Sequence, residues 1–336
     1  MNIDLHAGLN PIGNAANASK YNVVFLPLNM HPFVGFLKGT VAKDSLLKKI
    51  EYIYAHLIFA LQLAKNSRKD LIIVREFLTI PLALSWPLYF WFRKKTLFIV
   101  NHNLQKAHAN KLEGLAFKAL LKLGMRPLFL DTEAGLKELK VELPNNHYLV
   151  LPHPIIKIHQ KPIHGNNFTV GIIGDNRKEK KTSEIAEVLY KVCNEHGMQL
   201  LMGSMDKLLL DTWRNKGAKT INTTDSDDYI RAFSQSDIIV LNYDRAAYYY
   251  RISGVICDAI AANTVIICPD FPVLKDQINR FGRVGMTFSD TGEIATILLK
   301  IKENYVDFKD GLLCQQKNRS VQNITSLLDC YIESII

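Results

Sequence analysis

The stretch Tyr243–Asp270, YDRAAYYYRISGVICDAIAANTVIICPD, decides the fold of this chain. Its aromatic start reads as an exposed loop, Ser253-Gly254 opens a short apolar helix with Asp258 one turn in, and Thr264–Cys268 is a buried strand closed by Pro269-Asp270. That order leaves a helix N-terminus exposed. Unpaired amides and the positive end of the helix dipole make such a terminus a seat for phosphate, and Gly254 permits close backbone approach. Ser253 can equally be a plain N-cap on an ordinary packing helix.

Outward from there, strand and helix alternate. Asp237–Leu241 is the strand leading in, and Asp225-Ser-Asp227-Asp228, despite its metal-like Asp-x-Asp spacing, reads as the cap of a helix Tyr229–Ser236. Downstream lie a helix Val273–Phe281, a strand Val284–Phe288 and a helix Gly292–Asn304. Upstream, the strand Phe168–Ile173 runs into Gly174 and the cations Arg177, Lys178, Lys180 and Lys181, ahead of a helix Thr182–His196. Arg offers a fork of donors and Lys a point charge, which together suit a diphosphate; a solvated charged turn is the plainer alternative. Gln199–Met202 and Ala218–Asn222 read as further strands, the latter at a sheet edge.

The N-terminal half repeats the alternation. Asn22–Pro27 reads as a strand, MNIDLHA as another, and the run GLNPIGNAANASK between them as a loop by its Gly, Pro and Asn content. An amphipathic helix over Asp44–Lys65 precedes strands at Asp70–Val74, Thr96–Val100, Arg126–Leu130 and Tyr148–Leu151, with helices Leu82–Phe92 and Lys111–Leu123 between. Asp131-Thr132 reads as the cap of a helix carrying Glu133, Gly135 and Glu138. The absence of hairpin signals makes the class α/β, with two Rossmann-like, doubly wound domains. Their expected bounds are 1–155 and 168–306, with a linker at 156–167 after Pro152-His153-Pro154 and a helical tail at 307–336 that can pack on either domain, including by crossing back to the first.

Composition narrows the class. At 336 residues and 48% hydrophobic content the chain supports two cores. Its five cysteines form no Cys-x-x-Cys pair, which fits a reducing compartment, and Met1–Ala16 lacks the pattern of a signal peptide. The net charge is +9, with the basic excess concentrated in the first half. No RNA-module signature accompanies it, so nucleic acid is not the expected partner. A membrane surface suits it better, because Trp86–Lys95 joins aromatic and apolar residues to the cluster Arg93-Lys94-Lys95 and is too short to span a bilayer. The expected location is cytoplasmic, peripheral on the inner face of the cytoplasmic membrane.

The strand Thr96–Val100 delivers His102 to the carboxyl end of its sheet, where open α/β sheets bind ligands. An imidazole there can accept a proton near neutral pH or hydrogen-bond a hydroxyl, or simply cap the loop.

Four stretches together carry a resemblance: VNHNLQKAH (100–108), the Pro152-His153-Pro154 junction, GIIGDNRKEKK (171–181) and SGVICDAIAANTVIICPD (253–270). With the order of elements they resemble the GT-B fold glycosyltransferases of the bacterial polysaccharide type, which make exopolysaccharide, O-antigen and capsule. The resemblance implies two domains facing a cleft and a nucleoside-diphosphate sugar as co-substrate, without a resident cofactor or metal. It places the diphosphate on Arg177, Lys178, Lys181 and the amides of Ser253, Gly254 and Val255, and the ribose on Asp258, where relatives commonly have Glu. Tyr250 stands where many relatives have an acid, and Ala109 where the His-Asn-Leu group often has Glu. In the first domain it puts His102, Asn103 and His108 on the acceptor side. For an inverting reaction the candidate bases are His102, then Glu76 and Glu113. The implied acceptor is a saccharide or lipid-linked saccharide.

Three other classes compete with the transferase. A sugar-nucleotide epimerase of the same fold would release product without any acceptor. A nicotinamide oxidoreductase requires Gly-x-Gly-x-x-Gly after a strand, and Val170-Gly171-Ile172-Ile173-Gly174 lacks it. A catalytically weak scaffold, suggested by Tyr250 and Ala109, would bind donor without turnover.

Overall fold

The computed structural model describes residues 10–26, 54, 58–100, 102–155, 168–174 and 176–335. The expected strand in MNIDLHA, most of the Asp44–Lys65 helix and the 156–167 linker lie outside these residues. The described chain divides into two compact units, one of residues 10–152 with 321–335, the other of 153–320.

The first unit opens with helix α1 (Asn10–Ala18), a correction to the loop expected there. Its Asn and Gly content disfavours helix, but Ile12, Ala15 and Ala16 form a buried stripe, and burial outweighs local propensity. Then come β1 (Val23–Leu26), β2 (Leu71–Val74), helix α2 (Thr79–Tyr89) with a 3-10 turn Phe90–Lys95, and β3 (Thr96–Val100). Helices α3 (Asn103–Ala109) and α4 (Lys111–Lys122), strand β4 (Arg126–Leu130), the short α5 (Ala134–Glu138) and β5 (Leu149–Leu151) follow.

All five strands are parallel, in the order β1-β2-β3-β4-β5. Every residue of β2 and β3 is buried, as expected where helices cover both faces of a parallel sheet. Helix α2 has two faces: Trp86 and Tyr89 turn inward against Phe98, while Leu84, Leu88 and, just beyond, Trp91 face solvent.

The second unit begins with β6 (Thr169–Ile173) and α6 (Thr182–Glu195), then β7 (Gln199–Ser204). Next comes α7 (Lys207–Asn215), a helix absent from the sequence reading, capped by Asp206 and anchored by Leu209, Leu210 and Trp213. Strand β8 (Lys219–Asn222), α8 (Ser226–Ser234), β9 (Ile238–Val240), the single turn α9 (Arg245–Tyr248) and α10 (Gly254–Ala261) follow. The unit finishes with β10 (Val265–Pro269), α11 (Pro272–Asn279), β11 (Gly285–Phe288), α12 (Ile294–Glu303) and α13 (Lys309–Asn318). Its six strands are all parallel, in the order β11-β10-β9-β6-β7-β8. From β6 the chain winds one way through β7 and β8, and from β9 the other way through β10 and β11. The switch point therefore lies between β6 and β9.

The last helix, α14 (Val321–Ile335), packs on α1 in the first unit. Ser19 hydrogen-bonds Asp329, Lys20 pairs with Glu333, and Thr325 Oγ1 donates to the Ala15 carbonyl at 3.3 Å.

Candidate functional site

In an open α/β sheet the loops leaving a switch point splay apart and leave a crevice at the strands' carboxyl ends. In the second unit those loops are 174–181 after β6 and 241–253 after β9, and they are stitched together. The Asp244 amide donates to the Glu179 carbonyl at 2.8 Å, Asn242 Nδ2 reaches the Lys181 carbonyl at 3.5 Å, and Lys181 Nζ lies 3.5 Å from the Asp244 carboxylate. Arg177 and Lys178 are exposed beside them.

Gly174 sits at φ 128°, in the region that favours glycine, and a methyl group there would lie 2.7 Å from Lys180 Nζ. Lys180 thus folds over the loop backbone and joins the cationic group. The sequence places it in the cation group Arg177–Lys181, although the resemblance does not assign it to the diphosphate.

The loop before α10 is not the exposed aromatic loop expected. Tyr243 and Tyr248 are buried and stack at 3.9 Å between centroids, with Tyr249 and Tyr250 packed edge to face on the outer side. Arg251 and Arg245 lie over the rings of Tyr248 and Tyr249 respectively. Ser253 is the N-cap residue of α10, but its side chain does not cap; its Oγ is 2.8 Å from the Tyr243 hydroxyl.

The Ser253 amide, expected to face phosphate, instead donates to Gln277 Oε1 at 3.0 Å. The first turn of α10 is left to the amides of Gly254 and Val255. Gly254 is exposed, and a methyl group added there would meet no described residue within 4 Å, so among the described residues the space above this helix start is open.

Asp258 lies one turn along α10, with the Tyr229 hydroxyl donating to its Oδ2 at 2.8 Å. The residue keeps solvent access, yet the surrounding protein strips enough water to push its carboxyl up to about 6, against the lowering effect of the Tyr229 bond. Asp225, by contrast, accepts from the Asp227 amide as the cap of α8.

In the first unit, register aligns the strand exits. Val74 pairs with Phe98 and Val100 with Phe129, so Glu76 follows β2 and His102 and Asp131 lie level after β3 and β4. Glu76 is exposed, His102 half-buried and Asp131 fully buried.

Asp131 is not the cap expected of it. Thr132 Oγ1 accepts from the Ala134 amide, whereas Asp131 holds φ 64° at the centre of a tight turn in which the Thr132 amide reaches the Leu130 carbonyl at 2.8 Å. A strained, buried carboxylate at a strand exit is a feature that clusters at functional sites, and nothing local in the sequence marks it.

Asn103 and His108 are committed to the scaffold. Asn103 Nδ2 lies 3.2 Å from the Phe77 carbonyl and 3.3 Å from Thr79 Oγ1, and His108 Nε2 lies 3.3 Å from the Gly135 carbonyl. Both brace the loops around His102. Glu113 sits in the first turn of α4 rather than at a strand exit, and its Oε2 is buried with no hydrogen-bond partner among the described residues.

No family model matches this sequence, and no curated protein matches it. Its structure does have solved neighbours. HepE from Anabaena, solved with UDP-glucose, superposes with a TM-score of 0.61 at 12% identity, over 98% of this chain and 96% of its own. A glycosyltransferase from Rickettsia africae gives 0.58 at 13% identity, over 99% and 96%. The lipopolysaccharide outer core galactosyltransferase WaaB gives 0.57 at 13%, over 88% and 82%. TarM gives 0.53 at 15% identity, and there the match spans only 55% of TarM's length. The fold of this chain is that of the GT-B glycosyltransferases.

Proposed function

We propose that this chain is a glycosyltransferase, of hexosyl type, moving a sugar from a nucleoside-diphosphate donor to a saccharide or lipid-linked saccharide acceptor in surface polysaccharide synthesis. One observation carries the reading: the loops leaving the switch point of the second unit supply a cationic run, an open helix start and a carboxylate one turn along that helix. The solution of HepE with UDP-glucose makes a uridine nucleotide the first donor to try.

In the reaction the acceptor oxygen bonds the anomeric carbon, the bond from that carbon to the diphosphate breaks, and the acceptor proton passes to a base. Arg177, Lys178, Lys180 and Lys181, with the Gly254 and Val255 amides, meet the charge that grows on the departing nucleoside diphosphate. Asp258, held by Tyr229, accepts from the ribose hydroxyls. His102 is the favoured base, with Asp131 level with it to orient and stabilise the imidazolium; Glu76 is the alternative. These protein cations make a resident metal unnecessary in this reading.

The first unit also supplies the membrane contact. Leu84, Leu88 and Trp91 present an exposed apolar face beside Lys94, and α4, packed on α2, adds exposed Leu112, Leu115 and Leu123 with Lys111 and Lys122. Arg93 takes a smaller part, since its guanidinium is drawn onto the Phe90 ring at 3.5 Å. Among the described residues no helix is long and apolar enough to cross a membrane.

Thermal unfolding against UDP, UDP-sugars and other nucleoside diphosphates, with and without EDTA, tests the donor site. A hundredfold excess over the dissociation constant raises stability by about 2.7 kcal/mol. Selective, EDTA-insensitive stabilisation supports the reading, and a flat panel overturns it. Product formed from donor without acceptor would turn it towards an epimerase.

A further inference from the structure

Among the described residues the chain crosses between the two units at Pro152/His153 and at Ser320/Val321. Arg319, fully buried, ties the two crossings together. Its Nη1 donates to the His153 carbonyl at 2.8 Å, and its own carbonyl accepts from the Ile155 amide at 3.3 Å.

From Arg319 a chain of side-chain amides runs inward. Arg319 Nε donates to Gln315 Oε1 at 2.9 Å, and Gln315 Nε2 reaches the Gln277 carbonyl at 3.2 Å and the Gly282 carbonyl at 2.9 Å. Gln277 then clasps Ser253 from both sides: its Nε2 donates to the Ser253 carbonyl at 2.9 Å while its Oε1 accepts from the Ser253 amide at 3.0 Å. Gln315 and Gln277 are fully buried and Ser253 is nearly so. Arg319 Nη1 also lies 3.6 Å from Cys257 Sγ, and Ile155, Cys257 and Ala261 form a small apolar cluster beneath α10.

A buried polar chain of this kind has few alternative arrangements, because any broken link leaves a desolvated donor or acceptor unpaired. It therefore fixes the backbone at Ser253, and with it the direction of the Gly254 and Val255 amides. We infer that Gln277, Gln315 and Arg319 are positioning residues that tie the donor-phosphate amides to the two crossings of the chain. None of them needs to touch donor. The inference rests on the donor reading above and adds to it which remote residues set phosphate affinity.

The test uses the full chain with Arg319→Lys, which keeps the charge but loses the fork, and Gln277→Met, which keeps the bulk but loses both bonds to Ser253. UDP and UMP are the probes, bound calorimetrically. Misaimed amides should weaken UDP about tenfold and leave UMP nearly unchanged. Equal losses for UDP and UMP would mean general loosening and overturn the inference. Backbone amide exchange without ligand is the second readout: the Ser253 amide, held by Gln277 Oε1, should exchange about tenfold faster in Arg319→Lys while α6 keeps its protection. Unchanged exchange there overturns the inference too. Absence of UDP binding by the unsubstituted chain would sink the donor reading instead, and the exchange result would still decide the relay.

Discussion

The two parallel sheets present different chemistry at their carboxyl ends. Around the switch point between β6 and β9 the second unit gathers Arg177, Lys178, Lys180 and Lys181 with the start of α10, and holds them by backbone and buried amide bonds. At the exits of β2, β3 and β4 the first unit brings Glu76, His102 and Asp131 to one edge of its sheet, with Asn103 and His108 bracing the neighbouring loops. In the proposed reading one end holds a polyanion and the other exchanges a proton. The contrast teaches that one architecture divides binding from chemistry by what each strand exit delivers, since positioning and proton transfer need different residues.

The widest break in that division is at His102. His102→Ala should lower turnover by about a hundredfold to ten-thousandfold while leaving UDP affinity intact, measured as initial rates beside calorimetry. Loss of affinity in place of turnover would merge the two roles. Next in size is the membrane face proposed for the first unit. Reversing Arg93, Lys94 and Lys95 to Glu removes attraction worth about 1 kcal/mol per cation and should release the chain from phosphatidylglycerol vesicles in sedimentation. Binding that persists would place the contact elsewhere.

Arg177→Ala sharpens the other side. Losing a charged hydrogen-bond donor, worth about 1.5–3 kcal/mol, should weaken UDP about tenfold to a hundredfold. Because Arg177 is exposed, the melting temperature without ligand should hold, and unchanged affinity would remove it from the diphosphate site.

The smallest effect is a pH dependence at Asp258. Its carboxyl stands near 6 in the folded chain, above its ordinary value of 3.8, so the folded state favours the proton. Without ligand, stability from this group is fullest at low pH and falls as pH rises towards 6. Donor binding runs the other way, since the ionised carboxylate accepts from ribose hydroxyls. UDP affinity should therefore climb by a few-fold as pH passes through about 6, and the step should vanish in Asp258→Asn.

The strands were legible because both sheets are covered on both faces, which turns each strand into a continuous apolar run such as Thr96–Val100 or Val265–Cys268. The cationic loop was legible for the opposite reason, as its charges cluster in a short span between strand and helix. Elements that depend on distant partners were not. Helix α1 follows from burial of Ile12, Ala15 and Ala16 against residues more than three hundred positions away, which local composition does not encode. Gln277 is one amide in an ordinary helix until Ser253 and Gln315 meet it, and Asp131 reads as a cap until its φ is known. The resemblance likewise implies a phosphate on the Ser253 amide, and no spacing reveals the Gln277 clasp that occupies it.

The last helix has a consequence for how the chain is made. Ser19 meets its partner Asp329 only after 310 further residues have been synthesised. Residues 153–320, by contrast, run continuously in sequence, and their unit closes without the last helix. The unit begun earlier is finished later, when Val321–Ile335 docks on α1. A chain without residues 321–335 would thus carry a first unit with the apolar side of α1 uncovered, which is the kind of surface chaperones hold and proteases clear.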